Sequence, residues 1–132
     1  MGYTDLPLVA PQESGRVLAE MTMRHDFTLF EYWKPDFAGH AQDHTESVKV
    51  LELFDGMLEG LLGRLDHAAT LVVLSSDHGN IEDLRVRTHT RNPVPLIAIG
   101  RSHRKFLAKV ERRSRPNLSH VTPAILEMLN HD

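Results

Sequence analysis

Asp77 and His78 come two serines after an apolar run at residues 71–74, and His89 follows eleven positions after His78. The run predicts a buried strand, and in open α/β sheets ligands bind at the carboxyl ends of the strands. Carboxylate oxygen and neutral imidazole nitrogen are the ligands that zinc, manganese and similar divalent ions take. These three residues therefore predict a metal site at the end of a strand.

A second aspartate–histidine pair, Asp36 and His40, is spaced by one helical turn. In a helix both side chains would lie on one face, and in a loop Gly39 would let the backbone bend so that both converge. The pair follows a predicted strand at 26–32, and parallel strands open on the same edge of a sheet. We therefore expect one cluster of candidate metal ligands, formed by Asp36, His40, Asp77, His78 and His89.

Such a cluster holds more oxygen and nitrogen ligands than one tetrahedral ion uses. It suits two ions about 3.5–4 Å apart, which clamp the attacking and leaving oxygens in phosphoryl transfer, so a phosphate ester is the predicted substrate class. Arg91 is a candidate for a bidentate phosphate contact, with a solvated loop arginine as the alternative. Asn80 and Glu82 are candidates for orienting ligands, with a plain turn as the alternative. Ser76 fits a structural hydroxyl better than a nucleophile, since no base stands beside it in sequence.

Composition limits the classes of protein to which the chain can belong. The 132 residues, 41% hydrophobic and 25% charged, predict one globular domain. A formal net charge of −3 gives no positive field for nucleic acid or an acidic membrane, and the lack of cysteine excludes disulfides and thiolate metal sites. No apolar run reaches the ~18 residues of a membrane-spanning helix, and the N-terminus lacks signal-peptide features, so we expect a cytoplasmic protein.

The spacing of apolar residues along the chain predicts helices and strands, which must position the candidate ligands. Helices are predicted at 12–24, from about 43 to 65, and in a short C-terminal segment that starts at Ser119 or Thr122. Strands are predicted at 26–32, 70–75 and 94–99, and the alternation at 106–110 suggests one more. Strands separated by helices predict an α/β protein with a mainly parallel sheet.

The motifs around the candidate ligands resemble those of a known family. Two stretches of the chain carry a combined motif, Asp77-His78-Gly79-Asn80 and His89-Thr90-x-Asn92-Pro93-Val94-Pro95. This motif resembles the C-terminal signature of the cofactor-independent phosphoglycerate mutases. The segment Pro35-Asp36-x-x-Gly39-His40 and the closing Thr122-Pro123-Ala124-Ile125-Leu126 are also similar to family segments. These mutases belong to the alkaline phosphatase superfamily of metalloenzymes.

The resemblance implies a three-layer αβα architecture with a partial alkaline phosphatase-like sheet. It implies metal-dependent phosphoryl transfer, of the phosphomutase or phosphomonoester hydrolase type, on a small phosphate ester. It also implies two divalent ions, manganese or zinc with magnesium as a further candidate. Asp36, His40 and His89 would hold one ion, and Asp77 and His78 the other. In the family an N-terminal aspartate and a nucleophilic serine or threonine complete the second site, and this sequence matches neither.

We therefore expect residues 1–132 to form a single domain, equivalent to the C-terminal metal-binding portion of a larger enzyme and inactive alone. Its incomplete sheet would expose an edge through which copies of the chain self-associate. A second interpretation is a non-catalytic metal-binding or assembly domain that kept the ligands without the nucleophile. A third is that the histidines are structural and bind no metal.

Overall fold

Five helices and two short strands make up the computed structural model of the protein, which describes residues 7–112 and 116–130. The helices are α1 (Pro11–Thr22), α2 (Lys34–Ala41), α3 (His44–Arg64), α4 (His103–Glu111) and α5 (Val121–Leu129), the last preceded by a 3₁₀ turn at Leu118–His120. The strands are β1 (Val72–Ser75) and β2 (Leu96–Ile99). No helix in this part of the chain is both long and apolar enough to cross a membrane.

The long helix α3 is the support on which the N-terminal half is built. The side chain of Asp43 caps its first turn by accepting a hydrogen bond from the backbone N–H of Glu46 at 2.9 Å. Helix α1 packs closely against α3 at Gly15, where a β-carbon would overlap the α3 backbone. The lack of a side chain at this position permits the close contact. Ala19 of α1 and Leu61 of α3 are buried where the two helices meet. The predicted helices at 12–24 and 43–65 are thus present.

Strands β1 and β2 pair in antiparallel orientation, with Val72 opposite Ile99 and Ser75 opposite Leu96. The expectation of a mainly parallel sheet is therefore wrong for the described residues, which contain a two-stranded sheet. The physical reason lies in the connection between the strands. Parallel strands need a crossover, usually a helix, whereas residues 76–95 contain none and simply return beside β1.

A second apolar core covers one face of this sheet. Phe106 and Val110 of α4 are fully buried against Ala124 of α5, with Val73 of β1 among the side chains packed around them. The suggested strand at 106–110 is wrong, because this segment is helical. Phe106 and Val110 are four positions apart, a spacing that puts both on one face of a helix or of a strand, so the pattern alone does not decide between them.

The predicted strand at 26–32 is also wrong, since this segment has no regular secondary structure. It is attached to α3 by Tyr32, whose ring stacks on Phe54 with centroids 5.1 Å apart. The Tyr32 hydroxyl donates to the backbone carbonyl of Val50 at 3.1 Å. Burial, and then the negative charge of Glu46, raises the pKa of the Tyr32 phenol. Strand propensity depends on neighbouring strands, and none of the described residues pairs with this segment.

Candidate metal centre

Helix α2 positions the first pair of candidate ligands. It begins at Lys34 with Pro35 in its first turn, where the missing N–H of proline costs nothing. The segment from Asp36 to His40 is therefore helical, which decides between the two conformations that the sequence left open. Asp36 Oδ1 lies 3.4 Å from His40 Nε2, on one face of the helix.

The loop between the strands positions the second group. Thr90 donates its backbone N–H to the carbonyl of Gly79 at 2.8 Å, which joins the outgoing and returning arms of the loop. This pairing brings the neighbouring residues His78 and His89 together. Their rings stack with centroids 3.5 Å apart and planes inclined by 13°.

The two groups meet at Asp36. Its Oδ1 atom lies 3.4 Å from His89 Nε2 and 3.9 Å from His78 Nε2. His40 Nε2 and His89 Nε2 are 3.2 Å apart, although the two residues are separated by 49 positions in sequence. One ligand atom from each of Asp36, His40 and His89 falls within 4.8 Å of the others.

The donor set suits a divalent cation. Asp36 Oδ1 is buried and has no hydrogen-bond partner among the described residues, an arrangement that is expensive for a carboxylate oxygen without a neighbouring positive charge. Two imidazole nitrogens face the same point, where a cation would satisfy all three atoms at once. The ligand side chains of His40 and His89 remain 42% and 48% exposed, so the point of convergence is open to solvent.

His40 is also held from its other side. Its Nδ1 atom lies 2.5 Å from the backbone carbonyl oxygen of Arg87. A carbonyl can only accept, so Nδ1 carries the hydrogen and donates it, which leaves the lone pair of the neutral ring on Nε2. A metal-ligating histidine typically has this arrangement, with one nitrogen on the ion and the other on a carbonyl or carboxylate.

The remaining predicted residues lie at the margin of the cluster. Asp77 Oδ1 is 3.6 Å from His78 Nε2, but the Asp77 side chain is 86% exposed, and among the described residues Asp77 belongs to no group of three candidate ligands. His78 faces Asp36 and stacks on His89, so it lies beside the first set of ligands. Arg91, the predicted phosphate contact, is an exposed loop residue.

Glu82 closes the base of the loop. Its carboxylate accepts hydrogen bonds from the Thr90 hydroxyl, from Asn92 Nδ2 at 3.0 Å and from the backbone N–H of Asn80 at 2.6 Å. The Thr90 hydrogen bond, with smaller contributions from the others, lowers the pKa of Glu82 despite some desolvation. Glu82 thus ties the two arms of the loop together beside His89.

Asn80 connects the loop to α2. It is 6% exposed, and a β-carbon at Gly39 would overlap its amide oxygen. Asn80 therefore contacts the helix that carries Asp36 and His40, and Glu82 joins the two arms of the loop. A role of these two residues in orienting metal ligands stays a prediction. Two contributors, Gln42 and Arg87, carried no sequence signal, because the contact between them spans 45 positions.

Sequence comparison relates the chain to known metalloenzymes. The sequence profile described as "Metalloenzyme superfamily" matches residues 7–132. The chain is similar to the 2,3-bisphosphoglycerate-independent phosphoglycerate mutase of Thermomicrobium roseum, with 33% identity over 86% of this chain and 23% of that protein. The enzymes of the same name from Gloeothece citriformis and Desulforudis audaxviator are 32% and 31% identical, over 80% and 90% of this chain.

This chain spans 21% and 24% of the length of the Gloeothece and Desulforudis enzymes, and thus under a quarter of each of the three relatives. No solved structure gave a significant match. The resemblance inferred from the motifs is confirmed by the family match and by these relatives.

Proposed function

Because the chain belongs to the Metalloenzyme superfamily, we propose that Asp36, His40 and His89 bind a divalent ion that serves metal-dependent phosphoryl transfer. The observation that carries this function is the convergence of their three ligand atoms within 4.8 Å, around a buried carboxylate oxygen without a partner. A set of two imidazoles and one carboxylate favours zinc or manganese over magnesium, which prefers oxygen ligands.

Asp77 and His78 are the proposed ligands of a second ion. Their ligand atoms are 3.6 Å apart, close enough to meet on one cation, and Asp77 is exposed toward solvent. Two residues do not fill the coordination of such an ion, so additional ligands have to come from elsewhere. We propose that this chain works as the metal-binding portion of a larger enzyme that supplies them.

When bound, the two ions would polarise the phosphoryl oxygens and lower the pKa of the attacking oxygen. The residues of this chain would orient and balance the charge of the site. Asp36 contributes the negative charge, and the carbonyl of Arg87 aims the Nε2 lone pair of His40 at the same point. The stacked ring of His78 keeps the His89 ring in its plane. The exposed side of the cluster leaves room for a phosphate ester to enter.

Two of the chain's own hydroxyls near the cluster are already engaged. Ser76 donates to the carbonyl of His78 at 2.7 Å, and Thr90 donates to Glu82. We therefore propose that the nucleophile belongs to another part of the family enzyme. The relatives are named phosphoglycerate mutases, which makes a phosphomutase acting on a small phosphate ester the first choice, with a phosphomonoester hydrolase next.

The same engaged hydroxyls favour a second candidate, a non-catalytic metal-binding or assembly domain. Turnover of a generic aryl phosphate by the isolated chain would exclude the non-catalytic candidate, whereas absence of turnover would not distinguish the two candidates. Robust turnover that disappears in Ser76→Ala would show that this chain carries its own nucleophile. Absence of turnover, with metal binding retained, is what both proposals expect of the chain alone.

Calorimetric titration of the metal-free protein with Mn²⁺ or Zn²⁺ tests the metal site itself. We expect saturable binding that weakens about tenfold or more in Asp36→Asn and in His40→Ala, and that is lost in His89→Ala. His67→Ala is the matched control, since His67 is an exposed histidine that contacts the carbonyl of Leu62 instead. Failure of the wild-type chain to bind either ion, or equal binding by His89→Ala, would exclude the proposed site.

A further inference from the structure

We infer that Gln42 is a positioning residue for His40, because its side-chain amide holds the loop segment whose carbonyl fixes the His40 ring. Gln42 directly follows Ala41, the last residue of α2, and its side-chain hydrogen bonds go to Leu84 and Arg87 and not to a proposed ligand. The inference rests on the proposed metal site, in which His40 uses Nε2 as the ligand atom.

The backbone of Gln42 gives the first indication. Its φ of 56° and ψ of 29° place it in the left-handed region, and it is the one non-glycine residue with positive φ in the described ranges. Helices commonly end in this conformation with glycine, since a β-carbon makes it unfavourable. A glutamine that keeps a strained conformation where glycine would fit easily points to a need for its side chain.

Both ends of the Gln42 amide are used on the same loop segment. Nε2 donates to the backbone carbonyl of Leu84 at 2.8 Å, and Oε1 accepts from Arg87 Nε at 2.9 Å. These two contacts bridge 42 and 45 positions of sequence. The amide therefore fixes the segment from Leu84 to Arg87 against the end of α2.

That segment is the one that holds His40. The carbonyl of Arg87 lies 2.5 Å from His40 Nδ1, while the Arg87 side chain is held by Gln42. If the segment moves away, Nδ1 loses its acceptor and the ring is free to adopt the other tautomer, with the hydrogen on Nε2. In that tautomer Nε2 has no lone pair to offer toward Asp36 and His89. Gln42 thus selects the ligating nitrogen through Arg87.

The variant Gln42→Gly tests this role with little risk to the fold, since glycine adopts the left-handed backbone without strain while the side chain and its amide are removed. We expect thermal stability equal to or above that of wild type, together with Zn²⁺ or Mn²⁺ affinity about tenfold lower, as for other residues that orient metal ligands. Gln42→Glu keeps an acceptor for Arg87 but places a carboxylate oxygen against the Leu84 carbonyl, so it should recover only part of the lost affinity. Gln12→Ala is the control, because Gln12 also makes a long-range contact, to Glu59 at 3.0 Å, but on the α1–α3 side of the protein.

A spectroscopic readout on the metal-free protein makes the test independent of the metal. Nitrogen-15 NMR of labelled histidine, at a pH where the rings are neutral, should show His40 with its hydrogen on Nδ1 in wild type and Gln12→Ala. Gln42→Gly should shift His40 toward the Nε2–H tautomer. An unchanged tautomer in Gln42→Gly overturns the inference, and so does unchanged affinity in a chain that binds the ion. If the wild-type chain binds no ion, the proposed function fails and the tautomer alone decides the role of Gln42.

Discussion

The side-chain amide of Asn80 lies directly on the backbone of Gly39, at a distance that leaves no room for a β-carbon. Gly39 belongs to the helix that carries Asp36 and His40, whereas Asn80 follows Asp77 and His78 in the loop. Their contact therefore joins the two ligand-bearing segments. We expect this contact to influence how near the imidazoles of the loop come to the carboxylate of the helix.

Gly39→Ala should push these segments apart. We expect destabilisation of about 1–3 kcal/mol from the forced contact, in contrast to the usual gain on replacing a helical glycine by alanine. Metal affinity should fall as well, because the ligands are moved. Chemical denaturation and calorimetric titration measure the two effects.

Two further variants make the Gly39 experiment decisive. Asn80→Ala in the Gly39→Ala background removes the obstructing amide and should restore part of both losses, which a double-mutant cycle quantifies. Gly63→Ala is the matched control, because nothing lies within 4 Å of a β-carbon there, and it should stabilise α3 by about 0.5–1 kcal/mol. Equal changes in stability for Gly39→Ala and Gly63→Ala would refute the close-contact explanation.

Glu82→Gln should loosen the base of the loop. The amide nitrogen would replace one carboxylate oxygen and face a donor, either the Asn80 N–H or the Thr90 hydroxyl. We expect a loss of about 1 kcal/mol of stability or less, since the side chain is exposed, and faster hydrogen exchange at the Thr90 amide, which bonds to Gly79. Unchanged exchange at that amide would mean that Glu82 does not hold the two arms together.

Asp83 gives a prediction of pH dependence. Arg85 donates two hydrogen bonds of 2.7 Å to its two carboxylate oxygens, which lowers the pKa of Asp83 from 3.8 to about 2. Because the folded-state pKa is the lower one, this pair stabilises the loop above pH 3.8 and loses its effect as the pH falls through about 2. Carbon-13 NMR titration of the carboxyl group should show the depressed midpoint.

Removing the partner of Asp83 checks the cause. Arg85→Ala should return the Asp83 midpoint toward 3.8, and Arg85→Lys should give an intermediate value, because lysine keeps the charge without the forked geometry. A midpoint that stays near 2 in Arg85→Ala would assign the shift to some other group.

Self-association should accompany the exposed apolar segment before α2. Leu29 is 73% exposed and Trp33 is 63% exposed, and neither β1 nor β2 has a second strand partner within residues 7–112 and 116–130. We expect sedimentation velocity to show concentration-dependent association, with a blue shift in the emission of Trp33, the single tryptophan. Leu29→Glu should weaken it, while Leu126→Glu, at a 54% exposed site on α5, should not. Identical sedimentation at all concentrations would contradict the prediction.

Sequence reasoning succeeded where one local pattern determines the structure. The apolar periodicity of α3, capped by Asp43, and the short apolar runs of β1 and β2 each specify one element, and all three are present. It failed where the outcome depends on distant partners. The aromatic segment at 26–32 needs a neighbouring strand to become one, and Phe106 with Val110 fits a strand or a helix until a second helix is known to cover them.

The candidate site shows the same division. Asp36, His40 and His89 were chosen from residue type and local spacing, and their side chains do converge, although the parallel sheet expected to gather them is absent from the described residues. What gathers them instead is the Gly39–Asn80 contact and the hydrogen bonds of Gln42. Such contacts between remote positions leave no periodic trace in a single sequence.

His40 and His89 are 49 positions apart in sequence, and the stretch between them contains all of α3 and β1. An ion gripped by both imidazoles would close this stretch into a ring and so reduce the freedom of the unfolded chain, in the manner of a reversible cross-link. The melting temperature of α3 would then depend on whether the ion is bound, although no side chain of α3 is a proposed ligand.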